Sequence, residues 1–256
     1  MKPKLVRNAW GVFSKTFPRL SCEIDLFRRN KYFEKDLWLI PRFCSSANTS
    51  VDVGVNEGIF SRWMAKYSRQ VDCFECNPYL IPRLKQFLPS NVRLHECALS
   101  NNVGSAVLRF DPNNTGIGTI ESRNKLDQNP GILDVQEVEV PVRSLDGFGL
   151  ENVDFMKIDV EGHELEVLKG AADLIRSQKP TLLIEIEERH CKGNLDAVPQ
   201  WLDQFGYQTC YLDAASNDLV PAGDIHTIAR SGINNFWFLQ ASRDSGRLGR
   251  ELRRTG

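Results

Sequence analysis

The chain has no long apolar run anywhere in its 256 residues. A helix that crosses a bilayer needs about 20 consecutive apolar residues, so no membrane span is expected. Met1 to Leu20 carries Lys and Arg but is interrupted by polar residues and Pro18. It lacks the apolar centre of a signal peptide. An excess of one charge is also missing: 32 Lys and Arg face 33 Asp and Glu. That balance argues against a nucleic-acid binder with a basic footprint and against a polybasic membrane anchor. One local exception is the C-terminus, where Arg243, Arg247, Arg250, Arg253 and Arg254 face only Asp244 and Glu251; a basic, flexible tail is expected over residues 242–256. The seven cysteines are odd in number and scattered, which is no disulfide framework and suits a reducing, cytoplasmic compartment. Cys73 and Cys76 form a C-x-x-C, but Cys22, Cys44, Cys97, Cys191 and Cys210 supply no second pair for zinc. Buried strand cysteines behaving as small hydrophobes are expected instead. Internal repeats and low-complexity blocks are absent.

What is present is alternation. Residues 1–48 read as a helical or irregular lead-in with aromatic anchors such as Trp10, Phe27 and Trp38. From Val51, short apolar runs alternate with amphipathic helical segments, the signature of a parallel sheet with crossover helices. Strands are expected at Val51–Val55, Val71–Glu75, Val92–Leu99, Val153–Ile158, Thr181–Glu187, Gln208–Leu212 and Ile233–Leu239. Helices are expected from about Glu57, around Leu80–Leu88, over Leu165–Ile175 with a break near Gly170, and over Leu195–Phe205. Between Asn101 and Leu145, two alternating runs, Ser105–Phe110 and Val138–Val142, flank a polar connection rich in Asn and Gly. Such a connection is usually a lid or binding loop. The expectation is an α/β, doubly wound, mostly parallel seven-stranded Rossmann-like sheet over residues 49–241, with a β insertion after the third strand.

In such sheets ligands bind beyond the carboxyl ends of the strands, where strand order reverses. The first strand ends in Asp52-Val53-Gly54-Val55-Asn56-Glu57-Gly58, whose glycines permit a tight turn and a close-approaching ligand. The second strand ends at Glu75, about 20 residues on, the usual place for an acid that binds ribose hydroxyls. A dinucleotide fingerprint needs G-x-G-x-x-G, but Asn56 holds the middle position and no third glycine follows. The fourth strand delivers Asp159 and Glu161 at its carboxyl end, and Glu164 and Glu166 suit the positive end of the next helix. Asp159 is a candidate for an ammonium, with Glu161 orienting it; capping of the helix is the plainer role for both. His163 and His190 have the near-neutral reference pKa of a general base, and Glu187 is a carboxylate alternative. Nothing in the spacing of these groups demands a metal, and none is expected. Asn77-Pro78-Tyr79 approaches the N-P-P-Y of adenine methylation but lacks one proline and follows the wrong strand.

The segment Asp154-Phe155-Met156-Lys157-Ile158-Asp159-Val160-Glu161-Gly162-His163-Glu164, continuing to Gly170, resembles the signature of FkbM methyltransferases. The Asp52–Gly58 turn, Phe74-Glu75-Cys76-Asn77-Pro78, Ala98-Leu99-Ser100, Ser144-Leu145-Asp146, Ile184–Glu187 and Asn235–Phe238 also resemble that family's pieces, in order. Pro often takes the place of Cys76 there. The resemblance runs from about residue 35 to 240. It implies a class I methyltransferase that uses S-adenosyl-L-methionine, with Asp52, Gly54, Asn56, Gly58, Glu75, Asn77, Ala98, Asp159 and Glu161 around the cofactor. It implies a hydroxyl acceptor on a saccharide or on a polyketide-like product; the polar insertion favours the saccharide. Readings from other classes are a nicotinamide-dependent oxidoreductase or epimerase, against which the glycine pattern speaks, and a fold that binds without catalysis, against which Glu75 and Asp159 speak.

Overall fold

In the computed structural model, residues 35–112, 114–124, 126 and 134–244 are described. The expected aromatic anchors before residue 35 and the arginines beyond residue 244 lie outside them. Twelve strands are found among the described residues: β1 (Thr49–Val53), β2 (Gln70–Phe74), β3 (Val92–His95), β4 (Ala98–Leu99), β5 (Gly104–Asp111), β6 (Asn114–Thr119), β7 (Gln136–Arg143), β8 (Val153–Ile158), β9 (Thr181–Glu185), β10 (Tyr207–Asp213), β11 (Asp218–Pro221) and β12 (Asn235–Gln240). The helices are α1 (Ile59–Met64), α2 (Ile81–Phe87), α3 (Glu164–Lys169), α4 (Ala172–Gln178), α5 (Asn194–Asp203), α6 (Ile225–Arg230) and α7 (Ala241–Asp244). None is long and apolar enough to cross a membrane.

The main sheet has the order β11-β10-β12-β9-β8-β1-β2-β3. Its five strands from β9 to β3 are parallel, and β12 runs antiparallel between β9 and β10. The chain starts in the middle at β1, builds outward to β3, then returns to β8 on the other side. Strand order therefore reverses between β1 and β8, and a crevice opens there.

The central strands read as continuous apolar runs because both faces are covered. Successive side chains alternate between two cores. Met156, Ile158, Leu182, Ile184, Phe236 and Phe238 meet α3, α4 and α5 through Val167, Ile175 and Val198. Phe155, Leu183 and Trp237 face the opposite way and meet Ile59, Met64 and Leu84, together with Leu37, Ile40 and Phe43 from before β1. The described end of the lead-in is thus part of the second core. It is fixed by Asp36, which accepts hydrogen bonds from Trp237 Nε1 (2.6 Å) and Asn235 Nδ2 (3.3 Å).

Four expectations are corrected. The main sheet has eight strands rather than seven, because β11 pairs with β10 in a hairpin; that edge strand is four residues long, ends on Pro221 and carries no apolar alternation to announce it. The third strand divides: β3 stays in the main sheet, while β4 pairs with β7 in a second sheet of order β4-β7-β5-β6. Apolar periodicity runs on across the change of sheet, so sequence alone reads one strand. The polar stretch contains β6, which pairs antiparallel with β5 through a register shift at Phe110/Asp111. Lastly, α1 starts at Ile59, with Gly58 in a left-handed conformation as its cap.

Asp36→Ala should leave the Trp237 N–H without its partner at a cost of about 1–3 kcal/mol. Urea unfolding should show a lower midpoint with an unchanged slope. An unaltered midpoint would mean that the segment before β1 does not brace the sheet.

Candidate active site

A cleft lies at the carboxyl ends of β1, β2 and β8, at the reversal of strand order. Its lining includes Gly54, Asn56, Glu75, Asn77, Ala98, Asp159, Glu161 and His163. From the insertion, Leu108, Gly118 and Ile120 close one side. Seven of the nine residues expected around a cofactor therefore meet in one cleft.

Glu75 organises the floor. One carboxylate oxygen accepts from the Asn56 N–H (2.9 Å) and the other from the Asn77 N–H (2.8 Å). Burial raises its pKa despite these donors. Asn56 holds a left-handed backbone, φ 49°. Two buried polar atoms at this spot have no hydrogen-bond partner among the described residues: Asn56 Oδ1, an acceptor, and Asn77 Nδ2, a donor. Buried polar atoms are nearly always paired, so an unpaired acceptor and donor beside a carboxylate in a cleft fit a polar nucleoside-like ligand.

The two glycines have other tasks than the sequence suggests. A Cβ on Gly54 would lie 1.7 Å from the Asp159 carbonyl oxygen, and φ is +84°. Gly54 is required by the close passage of the loop after β8, not only by a ligand. A Cβ on Gly58 would meet Leu84 and Phe87 of α2 at 3.1 Å; Gly58 serves helix packing and does not line the cleft. Asp52 also stays outside the lining. It is fully buried and accepts from Ser61 Oγ (2.5 Å) on α1.

A charged cluster forms the wall under β8 and β9. Lys157 is 3% exposed, and its ammonium bonds Asp159 Oδ2 at 2.8 Å. Burial alone would lower the Lys157 pKa, but Asp159 and then Asp52 raise it above the ordinary lysine value. Burial alone would raise Asp159, and Lys157 holds it below the usual carboxylate range. Glu185 is pushed up to about 9 by burial and by Asp159, so it is protonated and hydrogen-bonded to Asp159. Asp52 is pushed to about 6 by burial. Glu164, also buried, is pushed to about 7 and accepts from the Gly162 N–H and from Asn194 Nδ2; it ties its own loop to α5 rather than serving as a plain helix cap.

The three base candidates separate. His163 lines the cleft; its Nε2 is 2.9 Å from Ser100 Oγ and its Nδ1 is 3.3 Å from Glu121 Oε2. Burial lowers its pKa further than Glu121 raises it, so the ring is neutral near pH 7. His190 is 4% exposed, stands outside the lining and pairs with Glu161 at 2.9 Å. Burial lowers its pKa, but Glu161 outweighs that and raises it, which favours the cation. Glu187 also lies outside the lining, and Arg189 holds its carboxyl low against the effect of burial.

Sequence reading passed over the fastening of the insertion. The Glu161 carbonyl, at φ 55°, accepts from Thr119 Oγ1 (2.9 Å) and Asn124 Nδ2 (2.8 Å). Arg109 donates to the carbonyls of Glu121 and Asn124. No periodicity marks these residues. Lys157 did carry a signal: a cation inside a fully buried strand needs a partner.

The sequence model of the "Methyltransferase FkbM domain" matches residues 52–209. The chain belongs to the FkbM methyltransferase family. This FkbM chain is 28% identical over 211 residues to "Methyltransferase 1" of Beauveria bassiana (strain ARSEF 2860), covering 74% of the chain and 83% of that protein. It is 34% identical over 154 residues to "Methyltransferase sdnD" of Sordaria araneosa, covering 47% of the chain and 59% of that protein. Its fold is similar to the crystal structure of methyltransferase FkbM from Methylobacillus flagellatus KT, with a TM-score of 0.50 at 18% identity. That match covers 76% of this chain and 44% of the other, so the chain spans less than half of that structure.

Two outcomes follow. Gly54→Ala should lower the unfolding temperature before any ligand is added, by several degrees, since strain at positive φ and overpacking each cost about 1–3 kcal/mol; wild-type stability would refute the contact with Asp159. The raised carboxyls Asp52 and Glu164 bind a proton more tightly folded than unfolded, so their contribution is complete below about pH 4 and is lost as pH rises through about 6 and 7. The unfolding temperature should therefore fall between pH 5 and 8, and Glu164→Gln should flatten that slope; a slope of unchanged steepness in Glu164→Gln would remove Glu164 as its source.

Proposed function

We propose that the chain binds S-adenosyl-L-methionine in this cleft and transfers its methyl group to a hydroxyl. The observation that carries this is Glu75 on the cleft floor between Asn56 and Asn77, at the reversal of strand order. Glu75 bonds the ribose hydroxyls through its remaining lone pairs. Asn56 Oδ1 and Asn77 Nδ2 gain their missing partners from the same ligand. Gly54 and Ala98 leave room beside it, and Asp159 and Glu161 face the methionine portion. Asp159 already engages Lys157, so it acts on an ammonium as one member of a charged cluster rather than as a free acid.

When bound, S-adenosylmethionine supplies a methyl on a sulfonium, and transfer is a displacement by the acceptor oxygen. The protein's share is alignment, which contributes several powers of ten, and removal of the hydroxyl proton, which adds roughly 10²–10⁴-fold. His163 is the base candidate that lines the cleft and is neutral near pH 7. A balanced net charge of −1 speaks for a small-molecule or glycan acceptor over a nucleic acid.

Two acceptor classes follow from the insertion. A saccharide is suggested by the Asn- and Gly-rich sequence around residues 113–118. A hydroxyl on a polyketide-like or other small metabolite is favoured by what the insertion presents to the cleft: Leu108, Gly118 and Ile120, with Asn124 spent on the Glu161 carbonyl. Transfer of a labelled methyl group to a panel of glycans and hydroxylated metabolites distinguishes the two.

Calorimetry tests the cofactor reading without an acceptor. Wild type should bind S-adenosylmethionine and S-adenosylhomocysteine but not NAD. Glu75→Ala should weaken binding about 10- to 100-fold, the loss of a charge-assisted acceptor worth roughly 1.5–3 kcal/mol. Equal affinity in a folded Glu75→Ala protein would place the ribose elsewhere.

A further inference from the structure

The insertion brings a carboxylate to the only histidine lining the cleft among the described residues. Glu121 follows β6 and is 6% exposed. Its Oε2 stands 3.3 Å from His163 Nδ1, while Ser100 Oγ lies 2.9 Å from His163 Nε2. The segment that carries Glu121 is braced on every side. Thr119 Oγ1 and Asn124 Nδ2 bond the Glu161 carbonyl, Thr119 Oγ1 also receives the Glu121 N–H (3.0 Å), and Arg109 holds the Glu121 and Asn124 carbonyls. Arg123 grips the Glu121 carboxylate through its backbone N–H (3.0 Å) and its guanidinium (2.9 and 3.2 Å). A carboxylate held this firmly against one ring nitrogen fixes both the tautomer and the orientation of an imidazole.

We propose that Glu121 is the positioning residue of the methyl transfer, holding His163 with its proton on Nδ1 and presenting Nε2 to the acceptor hydroxyl. This rests on reading the cleft as the methyl-transfer site. Ser100 occupies Nε2 until the acceptor arrives; its hydroxyl has Asn101 Oδ1 at 3.3 Å to turn to, so leaving the ring strands no polar atom. In the step itself, a bond forms between the acceptor oxygen and the methyl carbon as the methyl–sulfur bond breaks. The sulfur keeps that electron pair, and the hydroxyl proton passes to Nε2. The resulting imidazolium carries protons on both nitrogens and is stabilised by Glu121.

The electrostatics agree with that task. Burial alone would raise Glu121, but Arg123 and His163 hold it ionised, with a pKa of about 2. The charged groups facing His163 are Glu121 and Arg123 from the insertion and Glu166 from α3; the two carboxylates favour the imidazolium and Arg123 opposes it. Because the insertion carries Glu121, the sheet that lines one side of the cleft also supplies the partner of the base.

The test begins without an acceptor. His163 is one of four histidines, so its ring nitrogens are assignable by ¹⁵N NMR with single substitutions. Wild type should show the Nδ1–H tautomer. Glu121→Gln should lower the His163 pKa, and Glu121→Asp should restore part of it. S-adenosylhomocysteine affinity should stay at the wild-type value in both. With an acceptor in hand, Glu121→Gln should lower kcat about ten-fold or more, part of the general-base contribution, with KM for the cofactor unchanged. The acid limb of its kcat profile should move to lower pH, which a merely structural role would not produce. Failure of wild type to bind S-adenosylhomocysteine overturns the functional reading. With that binding intact, a wild-type ring protonated on Nε2, or a His163 pKa that does not move in folded Glu121→Gln, overturns this inference alone.

Discussion

The ammonium of Lys157 sits inside the central sheet at 3% exposure, and much of the site is arranged around keeping it there. An unpaired buried cation costs several kcal/mol, and pairing repays this only with good geometry and further hydrogen bonds. Asp159 supplies the pairing at 2.8 Å, while Asp52 on β1 adds negative potential from the neighbouring strand. With Glu185 on β9, three acids around one cation are more than the cation neutralises. The excess is relieved by protonation of Glu185, whose pKa is pushed up to about 9. The outcome is an ionised Asp159 with a fixed orientation at the cleft wall. That explains why Asp52, which the glycine-turn motif draws attention to, faces α1 and the cluster instead of the cleft: its place is beside Lys157, bonded to Ser61.

A second constraint is the left-handed backbone at Glu161, φ 55°, followed by Gly162 at φ 107°. This turn exposes the Glu161 carbonyl to the insertion, where Thr119 and Asn124 claim it. The same turn sends the Glu161 carboxylate toward His190 and leads into α3 with His163 at its start. A larger residue at Gly162 would be strained, since φ is +107° and its Cβ would approach the His190 carbonyl to 3.0 Å. A single reversal of the chain after β8 therefore sets the wall of the cleft, the docking point of the second sheet and the position of the base candidate.

The fold was largely legible because its signals are periodic. Apolar runs at Val51, Val71, Val153, Thr181 and Ile233 mark strands buried on both faces, and the break at Gly170 separates α3 from α4 as the pattern suggests. Glu75, Asn56, Asn77, Ala98, Asp159, Glu161 and His163 were legible for a related reason: they stand at strand ends, and topology alone places strand ends at the cleft. What escaped reading is what depends on contacts distant in sequence. Glu121 and Ser100 meet His163 across separations of 42 and 63 residues, and no spacing rule connects them. His190 and Glu187 looked equivalent to His163 by position after a strand. Their surroundings differ: Glu161 raises the His190 pKa, Arg189 holds the Glu187 carboxyl low, and neither residue lines the cleft.

The second sheet changes the meaning of the polar stretch between β5 and β7. As a free loop it would recognise an acceptor through its own Asn side chains. As strand β6 and the turn that follows it, paired with β5 and pinned at Glu161, it places Gly118 and Ile120 on the cleft and spends Asn124 on a carbonyl. Pinning costs conformational entropy, and the several hydrogen bonds from Thr119, Asn124 and Arg109 offset it. Such an expense is out of proportion for a cover that merely excludes water, since apolar packing by Leu108 and Phe110 would do that. The bonds instead converge on the backbone around one side chain, Glu121, and fix it in register with an imidazole on the opposite wall. Gly118 and Ile120, which line the cleft, and Glu121, which contacts His163, therefore lie in the same short segment, residues 118–124.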